Sequence, residues 1–257
     1  MNPDEPDYSK LKSVADEQHW QEFARSIGGE LVDPLIQRQG VKKADFLFPA
    51  NKVVAELKVL ETEFADTAET LARVEAAIAN HPGIDPDDPS EPLRRELLNI
   101  IRAPLQRIIK KANRQIKETK QELHLTGWDG LLILVNDNFR GAPPALVRDL
   151  CGSILAGTSY SSIDCFIYQT NHYLELPDNP YACLIWAPMY SPNANDQLLA
   201  FVNDLGRKWR VYSQSIEGPY DYEREQDDID FQQIQVVRGL YRQLPYRYPG
   251  DEPEVKG

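Results

Sequence analysis

The sequence predicts an α/β protein with a mixed central sheet flanked by helices, and three observations carry that expectation. Two strand-forming segments, residues 42–48 and 53–59, flank the turn residues Pro49, Ala50, Asn51 and Lys52, which predicts an antiparallel hairpin. Leu131, Leu132, Ile133, Leu134 and Val135 form an unbroken apolar run, the pattern of a parallel strand covered on both faces. Between these strands, residues 61–80 and 93–125 repeat their apolar positions at helical spacing.

Taken in order, residues from about 9 to 27 read as a helix. Leu11, Val14, Phe23, Ala24 and Ile27 are among its apolar positions, and Gly28 and Gly29 stop it. Residues 30–33 form a short first strand before a turn at Pro34 and the hairpin. The helix at 61–80 has Phe64, Ala68, Leu71, Val74 and Ile78 as its stripe, acids in its first turns, and Asn80, His81, Pro82 and Gly83 at its end. An acidic, proline-rich linker follows to Pro92. Its Asp85, Asp87 and Asp88 lack the Gly and the bidentate Glu that an EF-hand loop requires.

The long helical region to Leu125 is expected to break or restart at Pro104. Leu97, Ile101, Leu105, Ile108, Ala112, Ile116 and Leu123 make its apolar stripe, with Lys111, Gln115 and Thr119 four apart on the flank. After a turn at 127–130, the apolar strand ends in Asn136, Asp137 and Asn138, which suits either a functional strand edge or an Asx-rich turn. A helix at about 143–156, strands at 163–169, 173–176 and 182–188, and an amphipathic helix at 196–211 complete the pattern. Asp204 and Arg207 are spaced to pair on that last helix.

At 257 residues, with 42% apolar and 26% charged content, the chain suits one domain with a sizeable core and an appendage. No apolar run of about 18 residues is present to span a membrane, and the acidic first residues lack the apolar core of a secretory signal. Cys151, Cys165 and Cys183 lie in or beside apolar sequence and read as buried thiols of a cytoplasmic protein. His19, His81, His124 and His172 show no zinc spacing, so any metal is expected on oxygen ligands.

The net charge of −12 opposes binding to phosphates, but it is unevenly spread. Residues 93–125 hold nine bases (Arg94, Arg95, Arg102, Arg107, Lys110, Lys111, Arg114, Lys117, Lys120) against Glu96, Glu118 and Glu122. Residues 216–257 reverse the balance, with ten acids against five bases and a set of tyrosines (Tyr220, Tyr222, Tyr241, Tyr246, Tyr248). That acidic, Tyr-rich C-terminal extension would cover the basic helix as a nucleic-acid mimic, dock a partner, or pack as a short helix at 229–244.

The hairpin register follows from arithmetic. If Phe48 faces Val53, paired positions sum to 101 and Asp45 faces Glu56, whether the loop has four residues or two. Facing residues have β-carbons about 4.5–5.5 Å apart, and residues two apart share a face. Asp45, Glu56 and Lys58 therefore converge while Leu57 points into the core. Two carboxylates that close repel, and a hard divalent cation such as Mg²⁺ resolves the conflict with one or two carboxylates plus waters and phosphate oxygens.

Asp45, ten residues, then Glu56-Leu57-Lys58 resembles the signature of the PD-(D/E)xK nuclease superfamily, with Ala44 at the position where Pro often stands. The order of elements over about residues 9–170 resembles that superfamily's restriction-endonuclease-like αβββαβ core, with C-terminal additions after it. The resemblance implies a domain over residues 1–215 and an extension over 216–257. It implies a Mg²⁺-dependent nuclease, with Mn²⁺ able to substitute, held by Asp45, Glu56 and the carbonyl of Leu57. Asp45, Glu56 and Lys58 would be catalytic, with Lys58 positioning water or neutralising developing charge.

The same resemblance makes Glu22, on the leading helix, either an added acid near the metal or an ordinary surface acid, with Glu17 a turn further back the weaker candidate. Lys111, Gln115 and Arg114 would contact the nucleic acid, which by resemblance is DNA, although the residues do not distinguish DNA from RNA. No recognition domain is evident, so specificity would come from a homodimer or a partner protein. The alternative is a catalytically silent module of the same fold that binds nucleic acid or protein.

Overall fold

The structure, a computed structural model, describes residues 17–60, 67–85, 89–137, 144–171, 174–175 and 182–218. Several expectations lie outside the described residues: the start of the first helix with Leu11 and Val14, residues 61–66 with Phe64, Asp87 and Asp88, Asn138, and the C-terminal segment from Pro219 with its tyrosines.

The chain folds as a mixed six-stranded sheet between two layers of helices. Helix α1 (Glu17–Ser26) leads into strand β1 (Glu30–Leu31). Strands β2 (Phe46–Phe48) and β3 (Val53–Leu60) form the hairpin, and helices α2 (Ala68–Ala79) and α3 (Glu91–Glu122) follow. Next come β4 (Asp129–Asn136), α4 (Pro144–Leu155), β5 (Cys165–Thr170), β6 (Leu174–Glu175), β7 (Ala182–Cys183), β8 (Trp186–Tyr190) and α5 (Asp196–Glu217). The sheet order is β1-β2-β3-β4-β5-β8. β1, β2 and β3 pair antiparallel, β3, β4 and β5 parallel, and β8 runs antiparallel to β5.

Strand alternation sorts the core into two layers. Leu47, Val54, Leu60, Leu132, Leu134, Phe166 and Tyr168 pack with Leu105, Ile109, Ala112 and Ile116 of α3 and Val147, Leu150 and Cys151 of α4. Phe46, Phe48, Val53, Ala55, Leu57, Leu131, Ile133 and Val135 pack on the other face with α1 and α5. Cys151 and Cys165 are buried free thiols, and burial raises both. No helix among the described residues is long and apolar enough to cross a membrane.

α1 is anchored by aromatic stacking. Trp20, fully buried, lies parallel to Trp209 of α5 at 4.2 Å between centroids and meets Phe23 edge-on at 5.4 Å. Trp20→Ala is expected to destabilise the fold by about 3–5 kcal/mol, read from the midpoint of urea unfolding.

The strand expected over 42–48 is paired only from Phe46 to Phe48, because residues 42–44 bond to α3. Two further expectations are corrected. α3 does not break at Pro104 but runs unbroken for 32 residues. The proline removes one helical N–H bond, and burial of Leu93, Ile100, Leu105, Ile109, Ala112 and Ile116 on both sides of it holds the helix. The single strand expected at 182–188 is two. Ala182 and Cys183 pair with β6, whereas Trp186 to Tyr190 pair with β5. Ile185 is the joint between them, buried, with its N–H donated to Thr170 Oγ1 at 2.9 Å.

Candidate active site

The hairpin turn fixes the register. Pro49, Ala50 and Asn51 make one 3₁₀ turn, and Lys52, at φ 54°, closes it by donating its N–H to the Pro49 carbonyl at 3.2 Å. Phe48 then pairs with Val53 and Phe46 with Ala55, the sum of 101 read from the sequence. Asp45 stands one step beyond β2, where regular pairing ends: its N–H is donated to the Ala55 carbonyl at 3.1 Å, one step off that register, and its carboxyl meets that of Glu56.

At this point β2 ends and the N–H of Leu57 loses its strand partner. The Asp45 carboxylate takes that place, accepting from the Leu57 N–H at 2.7 Å. Leu57 itself turns its side chain into the α1 and α5 layer. Glu56 and Lys58 point to the other side, where Lys58 Nζ bonds Glu56 Oε1. Glu56 is fully buried, with Lys58 on its Oε1 and its carboxyl in hydrogen-bond contact with that of Asp45. Asp45 is half-buried and the Lys58 side chain 18% exposed, so solvent reaches the pair past these two.

Electrostatics follow from that geometry. Burial pushes Glu56 up to about 8, and the charge of Asp45 adds to the effect, outweighing the ion pair with Lys58. Burial also raises Asp45, against the opposing Leu57 N–H and Lys58. Two carboxylates in contact share their affinity for a proton, and a divalent cation satisfies the same need. Among the described residues no group of three or more His, Cys, Asp or Glu could hold a metal ion. A cation here would thus draw on two carboxylates, backbone and solvent, a donor set suited to Mg²⁺ or Mn²⁺.

α3 fixes the strand that carries Asp45 through three successive hydrogen bonds. Glu118 accepts from the Lys42 N–H at 2.7 Å, Gln115 Nε2 donates to the Lys43 carbonyl at 2.8 Å, and Thr119 Oγ1 accepts from the Ala44 N–H at 2.8 Å. Gln115 therefore reaches the hairpin, as a tether of its backbone, and keeps a buried Oε1 without a partner. The helical spacing of Gln115 and Thr119 was a legible signal for this, whereas the role of Glu118 was not. Arg114 is exposed and paired with Glu118 at 2.5 Å, and Lys111 is exposed one turn before Gln115. Thr119→Val leaves the buried Ala44 N–H unsatisfied and is expected to lower stability by about 1–3 kcal/mol, with Thr119→Ser restoring it in the same unfolding measurement.

Glu22 lies elsewhere. It accepts from Gln18 Nε2 at 3.0 Å and from the Tyr212 hydroxyl at 3.3 Å, facing α5. Glu17 is the acid on α1 whose charge Asp45 senses. Five residues apart, the two cannot share a helix face. At the far end of β4, Asn136 Nδ2 bonds the Tyr168 hydroxyl at 2.8 Å and Asp137 accepts from Asn171 Nδ2, both structural ties. Two surface grooves of about 410 and 420 Å³, one between α1 and α5 and one beside the hairpin turn, lie away from Asp45 and Glu56.

No protein-family model matches the chain, and no curated protein or solved structure shows significant similarity to it.

Proposed function

We propose that the chain is a divalent-cation-dependent nuclease with a restriction-endonuclease-like core, hydrolysing phosphodiester bonds of DNA. One observation carries the reading. The carboxyls of Asp45, just before β2, and Glu56, on β3, meet with Lys58 alongside, and Glu56 is fully buried. Local stability does not explain this arrangement, because burial and mutual repulsion both disfavour it. The order α1, β1, β2, β3, then α2 and α3, then β4 supports the core assignment, with α2 an added helix.

Asp45, Glu56 and the Leu57 carbonyl would hold the cation, which supplies Lewis-acid polarisation of the phosphate and a water of lowered pKa. Glu56, held up to about 8 in the metal-free protein, would have to lose its proton to serve as a charged ligand. The Leu57 N–H keeps Asp45 oriented, and its other oxygen is left for the cation. Lys58, bonded to Glu56 in the metal-free protein, would serve to orient water or neutralise charge as the bond to the leaving oxygen breaks. α3 prevents the Asp45 strand from shifting while this happens.

The test is incubation of the purified protein with plasmid, linear and single-stranded DNA, with Mg²⁺ or Mn²⁺ and with chelator, beside Asp45→Ala and Lys58→Ala. Cleavage is expected only with metal, lost in Asp45→Ala and strongly reduced in Lys58→Ala. Cleavage that ignores the chelator, or persists in both variants, contradicts the mechanism. Metal-independent binding without cleavage would mark the silent binding module instead.

A further inference from the structure

Between Glu96 and Glu118, α3 carries Arg102, Arg107, Lys110, Lys111, Arg114 and Lys117 and no acid. Its buried face is Leu105, Ile109, Ala112 and Ile116. At about 100° per residue, Arg107, Lys111 and Arg114 occupy the sector beside Gln115 and Glu118, and Lys110 and Lys117 stand further round on the solvent side. All five are exposed, and among the described residues Arg114 alone has an ion-pair partner.

Like charges at i,i+3 and i,i+4 destabilise a helix by a few tenths of a kcal/mol each. Arg107 with Lys110 and Lys111, Lys110 with Arg114, and Arg114 with Lys117 all stand at those spacings. Glu118 offsets Arg114 at the end of this face, and residues 97–117 hold no acid to offset Arg107, Lys110, Lys111 or Lys117. An external polyanion relieves the repulsion equally well, and in a molecule of net charge −12 it would be drawn to this face by the local field.

We infer that the exposed face of α3, formed by Arg107, Lys110, Arg114 and Lys117 with Lys111 on its inner edge, is a track for a nucleic-acid backbone leading to Asp45 and Glu56. Identifying the polyanion as nucleic acid rests on the nuclease reading; the track adds the class of substrate. Arg107 to Lys117 spans about 15 Å at 1.5 Å per residue, and strand phosphates recur every 3.4 Å or so along a duplex axis. Four or so phosphates fall within reach, so the substrate is a polymer extending well past the scissile bond, not a mono- or dinucleotide. The same helix tethers residues 42–44, which ties the track to the segment that leads into Asp45.

The test is binding of a fluorescent duplex and a single strand of about 20 nucleotides, in chelator, from about 50 to 200 mM salt. The unaltered protein is compared with Arg107→Gln/Lys110→Gln/Lys117→Gln. A control, Arg25→Gln/Arg207→Gln/Lys208→Gln, removes equal charge from α1 and α5 on the other side of the sheet. The track variant is expected to flatten the slope of log affinity against log salt by about 2–3 units, at roughly 0.9 per duplex contact and 0.7 per single-strand contact, with the control unchanged. An unaltered slope, or equal flattening in the control, overturns the track. Cleavage by the unaltered protein with Mg²⁺ separates the two ideas. Cleavage with no track effect leaves the nuclease standing without its track. Salt-dependent binding through these residues without cleavage leaves the track without the nuclease.

Discussion

Glu56→Gln is expected to abolish metal-dependent cleavage while stabilising the metal-free protein at pH 8. The stabilisation follows from linkage. Glu56 titrates near 4.5 when unfolded and at about 8 when folded, and Asp45 is shifted in the same direction. Across that window the folded state binds more protons than the unfolded state, so the stability of the metal-free protein falls as pH rises from about 4.5 to about 8. Glutamine has no proton to lose. Its amide oxygen can accept from Lys58 and its NH₂ can donate to Asp45, keeping both contacts. The expected gain is about 2–4 kcal/mol at pH 8 and little at pH 5, measured by urea unfolding at the two pH values in chelator. A variant as unstable as the unaltered protein at pH 8 would mean that Glu56 is not the strained group.

Lys58→Met is expected to lower kcat by roughly 10²–10³ without abolishing cation binding. Among the described residues Lys58 is the cation bonded to the pair, and its side chain, 18% exposed, is in reach of solvent and of a bound phosphate. Losing it removes charge stabilisation but leaves both carboxylates in place. Steady-state cleavage at saturating Mn²⁺, beside calorimetric Mn²⁺ titration, separates the effects. Equal loss of cation affinity and rate would assign Lys58 to holding the site together and not to the chemical step.

Much of this was legible because strands obey a strict period. Once Phe48 was set opposite Val53, the sum of 101 placed Asp45 against Glu56, and alternation sent Leu57 to the other face. The buried run in β4 was equally plain, although the strand starts at Asp129, in residues that read as a turn, because pairing with Val53 draws them into the sheet. Helix faces were harder. Glu22 and Glu17 are both plausible acids on α1, and the choice between them depends on how α1 is rotated. Stacking of Trp20 on Trp209, some 190 residues away in sequence, sets that rotation, and no local pattern contains it. Pro104 misled for a related reason: its local penalty was visible, while the packing that outweighs it was spread over α2, α4 and the sheet. The tether at Glu118 was hidden because its partner is a backbone N–H, which every residue but proline offers.

The most direct measurement is anomalous diffraction at the manganese edge from crystals soaked in Mn²⁺. The account predicts a peak about 2.0–2.6 Å from one oxygen each of Asp45 and Glu56, with Lys58 Nζ turned away from Glu56. A peak elsewhere, or an intact Glu56 to Lys58 contact with no peak between the carboxylates at saturating Mn²⁺, would contradict it.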